Sequence, residues 1–199
     1  MKRRTFLWSS SLGLIGSSLA FGKDNQRIGK LGPAEFKLAN EQAAARLKAI
    51  VPTNTPLSEA DQLLAAKVAM GGLTQLSGST WALSKTQSPD VKAIIQAEID
   101  EQTLLSDKLK EIAAAKGFDL PKAPGGEQKK MLDHLMETTD PVDREYLKNI
   151  GVEGHEAVQK AMEEVRAKAQ DATLKQLAAV ALPIIGIHLT VSRDELEAL

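Results

Sequence analysis

The sequence predicts an all-α protein, a four-helix bundle with a short crossover helix and a leading N-terminal helix. Three observations lead there. Apolar residues recur at three- and four-residue steps over four long stretches; each stretch opens on a capping side chain; and no strand-like alternation appears after residue 22. Helices of ~28 residues are ~42 Å long, the proportions of a bundle rather than of a globin.

The leading helix spans Ala34 to Ile50, with Phe36, Ala39, Ala43, Leu47 and Ile50 at helical spacing. It is stopped by Val51-Pro52-Thr53-Asn54-Thr55-Pro56, where the prolines remove backbone donors and bias their predecessors away from helix. The first long helix starts at the N-cap Ser58 and runs to about Gln87, with Leu64, Val68, Leu73, Leu76, Thr80 and Leu83 inward. Ser88-Pro89-Asp90 opens the second: a capping hydroxyl, a proline where no N–H is missed, and an acid beside the positive helix end. Val91, Ile95, Glu98, Gln102, Leu105, Leu109 and Ile112 share its inner stripe until Gly117 ends it.

Residues 118–139, with Pro121, Pro124 and Gly125-Gly126, form a crossover containing a short amphipathic piece around Met131, Leu132, Leu135 and Met136. Asp140-Pro141 opens the third long helix, whose inward positions are Leu147, Gly151, His155, Val158, Met162 and Val165. Asp171 caps the fourth, where Leu174, Leu177, Ala181, Ile185, His188 and Ser192 share a face. Pro183 withholds a donor from the Ala179 carbonyl, which calls for a bend or a water; the bend is either purely structural or aims His188 inward.

The chain divides into a signal peptide (1–22), a leading helix and linker (23–56) and the bundle (57–199). Lys2, Arg3 and Arg4 precede a modestly apolar stretch from Phe6 to Phe21 diluted by serine and glycine. That is signal-peptide anatomy, too short and polar for a stable membrane span, with cleavage after Ala20 or after Gly22. Arg3-Arg4-Thr5-Phe6-Leu7 resembles the twin-arginine export signal, Lys2 standing where that signal usually has a small hydroxyl residue; the same arginines also suit an ordinary secretory signal. The expected location is the periplasm or another part of the cell envelope.

The chain has no cysteine, so neither disulfides nor a lipidated cysteine are available and a hydrophobic core must supply the stability. Three of the 25 basic residues and none of the 26 acidic ones fall in 1–22, which leaves 22 against 26 spread without a basic block. With aromatics scarce as well, nucleic acid is excluded as a partner. No Gly-x-Ser-x-Gly elbow and no phosphate-cradling glycine loop occurs, and Gly71-Gly72 lies inside a helical pattern that close helix packing explains.

Four polar residues fall near the middle of the four long helices: Gln75, Gln102, His155 and His188. At 1.5 Å per residue each lies within ~6 Å of a common midplane, so all four can meet inside the bundle. Glu98, one turn from Gln102, is the nearest carboxylate. A metal centre would use His155, His188 and Glu98. Two amides and one carboxylate carry too little charge to neutralise a divalent ion, so the first expectation is an interior hydrogen-bonded cluster without a cofactor, and a single divalent metal is the alternative. His134, in the crossover without a companion, reads as a surface residue.

From Leu64 to Leu189 the order of features resembles a large bacterial family of exported, ferritin-like helical bundles whose domain has no assigned function. The matching stretches are Ala69-Met70-Gly71-Gly72-Leu73, Ser88-Pro89-Asp90-Val91-Lys92, Asp143-Arg144-Glu145-Tyr146-Leu147, Gly154-His155-Glu156 and Leu182-Pro183 followed by His188-Leu189. The resemblance implies a ferritin-like bundle and export, and little about chemistry. By this resemblance, family members usually carry Glu at the place of Gln75 and often His at that of Gln102, while His155 and His188 match. Di-metal centres of ferritin-like proteins need carboxylates from all four helices and paired Glu-x-x-His motifs, and none of those motifs occurs here. The reading that results is a non-enzymatic envelope protein with a binding or stress-related role, its partner an envelope protein or a second copy; a metal-binding or redox bundle is the alternative.

Overall fold

The computed structural model describes residues 28–199, so the signal peptide expected over 1–22, with Arg3 and Arg4, lies outside the described residues. All regular structure described there is helical: α1 (Pro33–Lys48), α2 (Glu59–Leu83), α3 (Pro89–Ala115), α4 (Gly126–Glu137), α5 (Val142–Tyr146), a π-helix (Leu147–Gly154), α6 (His155–Lys168) and α7 (Ala172–Ala198). α5, the π-helix and α6 follow one another without a break, so four long rods are present, and α2 packs on α3 and α6 while α7 packs on α6 and α3. α1 lies across α3 and α7, and α4 lies against α2.

The helix starts follow from local chemistry. Ser58, Ser88 and Asp171 each accept a hydrogen bond from the backbone N–H three residues on, satisfying a donor that the first turn leaves free. α7 continues through Pro183. By length and composition α7 could cross a membrane, but 56% of its apolar window is buried inside the fold, as in a core helix.

Two expectations need correction. The inward face of α2 is not the leucine stripe through Thr80, which is exposed with its hydroxyl bonded to the Leu76 carbonyl. Of that stripe Val68 is buried, and it is joined by Asp61, Ala65, Gly72, Gln75, Ser79 and Ala82. Small residues on that face let neighbouring helices come close: a Cβ on Gly78 would stand 2.6 Å from Ile150 Cδ1. The third rod is also not one α-helix. Leu147, Gly151 and His155 are all buried as expected, but two four-residue steps overshoot two α turns by about 80°, a drift that the wider π turn absorbs.

The core falls into two apolar groups. One gathers Leu105, Leu109 and Ile112 of α3, Val158, Met162 and Val165 of α6, and Leu174 to Ile185 of α7, with Leu47 and Ile50. The other gathers Val91, Ile94 and Ile95 of α3, Tyr146, Leu147 and Ile150 of the third rod, and Val191 of α7. On α3 the gap between them holds Glu98 and Glu101, on the third rod His155, on α7 His188. A charged layer is thus enclosed between two dry ones.

Candidate metal centre

Glu98 and Glu101 sit one turn apart on α3, His155 opens α6 where the π-helix ends, and His188 lies on α7, five residues beyond Pro183. All four are buried, and one ligand atom from each lies within 4.8 Å of the other three. Glu98 Oε2 is the hub, 2.8 Å from His155 Nε2 and 2.8 Å from His188 Nδ1. Glu101 Oε2 stands 3.2 Å from the same His188 Nδ1.

The outward-facing nitrogens of both rings are held. The Asn40 amide nitrogen is occupied with the Phe36 carbonyl, so its Oδ1 accepts from His188 Nε2 at 2.8 Å. The Phe36 ring lies 5.0 Å from the His188 ring. His155 Nδ1 faces the Ile150 carbonyl at 3.2 Å. The Gln75 carboxamide is satisfied at both ends when its oxygen accepts from His155 Nδ1 and from the His155 backbone N–H, and its nitrogen donates to Ile150 O. Partners on the far nitrogen set the ring orientation and leave His155 Nε2 and His188 Nδ1 facing the carboxylates, the arrangement found around metal-ligating histidines.

Electrostatics follow from the enclosure. Burial works against the charge on Glu98, but the two imidazoles outweigh it and hold the carboxyl far below the usual carboxylate range. His155 is pushed up to about 9, burial being overcome by the charge and hydrogen bond of Glu98. Glu101 is pushed up to about 7, chiefly by burial, with His188 opposing and Glu98 adding to the rise. Nearby, the buried Tyr146 phenol is raised by burial and by Glu98, and its oxygen is 3.0 Å from Ser79 Oγ.

Two buried carboxyls keep oxygens without a hydrogen-bond partner, Glu98 Oε1 and Glu101 Oε1 among them. A +2 ion between the four ligand atoms would neutralise both carboxylates and take the place of the protons now shared with the imidazoles. Tetrahedral bonds of about 2.1 Å put ligand atoms about 3.4 Å apart, so separations between 2.8 and 4.8 Å are within side-chain adjustment.

Of the residues expected to meet, Gln75, His155 and His188 do so around Glu98. Gln102 does not: it faces Gly72, with its Oε1 3.2 Å from where a Cβ on that glycine would be, and it lines a small cleft with Val68, Leu105 and Met162. The residue that sequence reasoning missed is Glu101. Its signal is the i,i+3 relation to Glu98, which puts both carboxyls on one face of α3, whereas the apolar stripe passes through Gln102. His134 is exposed and 4.0 Å from Glu145.

The fold and this cluster define a class: an all-helical protein that encloses two histidines and two carboxylates near mid-length of its long rods. A family model described as a domain of unknown function, DUF4142, matches residues 46–194, and the chain belongs to that family. All four cluster residues lie inside the matched span, whereas Phe36 and Asn40 lie before it. No curated protein and no solved structure matches the chain.

Proposed function

We propose that this protein is an exported, non-enzymatic metal-binding protein that holds one divalent transition-metal ion on Glu98, Glu101, His155 and His188. The observation that carries the reading is the second carboxyl. The two imidazoles engage only Glu98 Oε2 and leave its Oε1 without a partner, and Glu101 adds a second buried acid whose Oε1 has none either, which is costly unless a cation is held there.

Two imidazoles and two carboxylates suit zinc, iron(II) or manganese(II), and four protein ligands close a tetrahedral shell as structural sites do. The four long rods, three of them with ligands near their middles, support a ferritin-like four-helix bundle, in which α2 contributes the positioning amide Gln75 instead of a carboxylate. With all ligands on three rods and no Glu-x-x-His pair, the set suits one ion and not two. The Arg3-Arg4 signal supports delivery to the periplasm, and twin-arginine export carries folded, sometimes metal-loaded proteins.

Calorimetric titration of the chelator-treated protein with Zn²⁺ tests this. One equivalent should bind saturably, and bound ion should raise the melting temperature, since a ligand at 100 times its Kd adds about 2.7 kcal/mol to stability. His155→Ala and Glu98→Gln should each abolish the stoichiometric uptake. Absence of saturable uptake by the unmutated protein, or uptake unchanged in His155→Ala, would overturn the reading.

A further inference from the structure

A cavity of about 180 Å³ opens between α1 and α3, with Glu41, Ala44 and Leu47 on one wall and Asp100, Glu101 and Leu104 on the other. Glu41 and Asp100 are exposed, whereas Glu101 is buried, so the space leads from an acidic rim to one of the four ligands. Resting on the metal-binding reading above, we propose that this gap is the route by which the cation reaches the centre, with Glu101 as the first ligand it meets.

Three independent features support the assignment. First, Glu101 both lines the cavity and belongs to the cluster, its Oε2 3.2 Å from His188 Nδ1, while its Oε1 is buried and has no hydrogen-bond partner. The Glu101 carboxylate can take an ion arriving from the cavity before the two histidines exchange Glu98 for the metal. Second, the cavity has some ten times the ~15 Å³ that a single water needs, so an ion can enter with part of its hydration shell. Third, the rim favours cations: Asp100 is engaged by the neutral amide of Gln96 at 2.9 Å, and among the described residues Glu41 is paired with Lys37 at a loose 3.7 Å, with both ends exposed. Acid at the rim with apolar walls beneath focuses the field inward and concentrates cations at the opening.

Packing covers the far nitrogens of the two imidazoles. The far nitrogen of His188 is covered by Asn40 and Phe36, that of His155 by Gln75 and Ile150, and apolar groups fill the rods above and below the charged layer.

Stopped-flow loading of the chelator-treated full chain with Co²⁺, followed by the visible absorption of the bound ion, tests the route separately from the site. The double variant Glu41→Gln/Asp100→Asn should slow association at low salt by on the order of tenfold, with the deficit shrinking as salt rises. Its equilibrium affinity should stay within about twofold of the unmutated protein, because a route alters entry and exit together. Ala44→Phe, which narrows the cavity without removing charge, should slow both loading and chelator-driven release. As a control for net charge, Glu127→Gln/Asp133→Asn on the exposed side of α4 should load at the unmutated rate. Equal loading rates in the rim, plug and control variants, with affinity intact, would overturn the route and leave the metal site standing. Failure of the unmutated protein to bind Co²⁺ at all would sink the site and the route together.

Discussion

Glu101 is the residue on which the chemistry of the cluster turns. Without a cation it is a second buried acid beside Glu98, and its raised pKa expresses the cost of ionising it there. Replacing it by an amide of the same shape removes that cost together with the ligand. Glu101→Gln should therefore raise the stability of the chelator-treated protein by about 1–3 kcal/mol while abolishing the stabilisation that Zn²⁺ confers on the unmutated chain. Denaturant unfolding with and without Zn²⁺ checks both halves. A variant that is less stable in chelator would show that the Glu101 carboxylate is already well paired.

At the scale of elements, the ends of the helices are tied by the buried Lys116 and Asp61 together with the half-buried Asp171. Lys116, at the end of α3, donates to Thr53 Oγ1 at 2.8 Å and to the Thr55 carbonyl at 3.2 Å, and pairs with Asp171 at 2.6 Å. Asp171 caps α7, and Asp61 of α2 accepts the backbone N–H groups of Gln170 and Asp171 at 2.8 and 3.1 Å. One polar knot thus holds the linker, α2, α3 and the turn into α7. Burial opposes the charge on Asp171, but the Lys116 bond and the capped backbone N–H groups prevail and hold its carboxyl below the ordinary 3.8. A depressed folded-state pKa contributes stability that is present above pH 3.8 and lost as pH falls below it through the folded value. Asp171→Asn should therefore lower the melting temperature at pH 7, with the gap to the unmutated protein closing in acid below pH 4. A gap that stays constant from pH 7 to pH 3 would count against the charged pair.

For the whole molecule, the enclosure of a charged layer between two apolar cores explains how a chain without cysteines can hold a polar centre: each core supplies the stability that the centre consumes. The export proposed above also belongs to this scale, and the proposal rests on the N-terminal segment alone. Changing Arg3 and Arg4 together to Lys should leave unprocessed precursor in the cytoplasm, because the twin-arginine receptor reads the guanidinium pair. Cell fractionation with immunoblotting measures it. Normal processing of the double variant would indicate the general secretory route instead.

The helical class and the placement of the rods were legible in the residues themselves, since Ser58, Ser88-Pro89, Asp171 and the prolines of 51–56 act on their own backbone and need no neighbour to do so. Depth along a helix was legible too, because rise per residue is constant, and this brought Gln75, His155 and His188 to one level. Azimuth was not. A helix that is apolar on several sides or small-sided does not declare which face turns inward, so α2 buries Ser79 and exposes Thr80, and α3 turns Glu101 towards the histidines while Gln102 meets Gly72. The π turn through Leu147–Gly154, which brings His155 onto Glu98, likewise depends on contacts that only packing creates, Gly154 against Gln75 and Gly151 against Ser192. Local chemistry determined where each helix begins and how far along it the polar residues lie; close packing between rods decided which carboxylates share a site, because only there does a rotation of one residue exchange an amide for an acid.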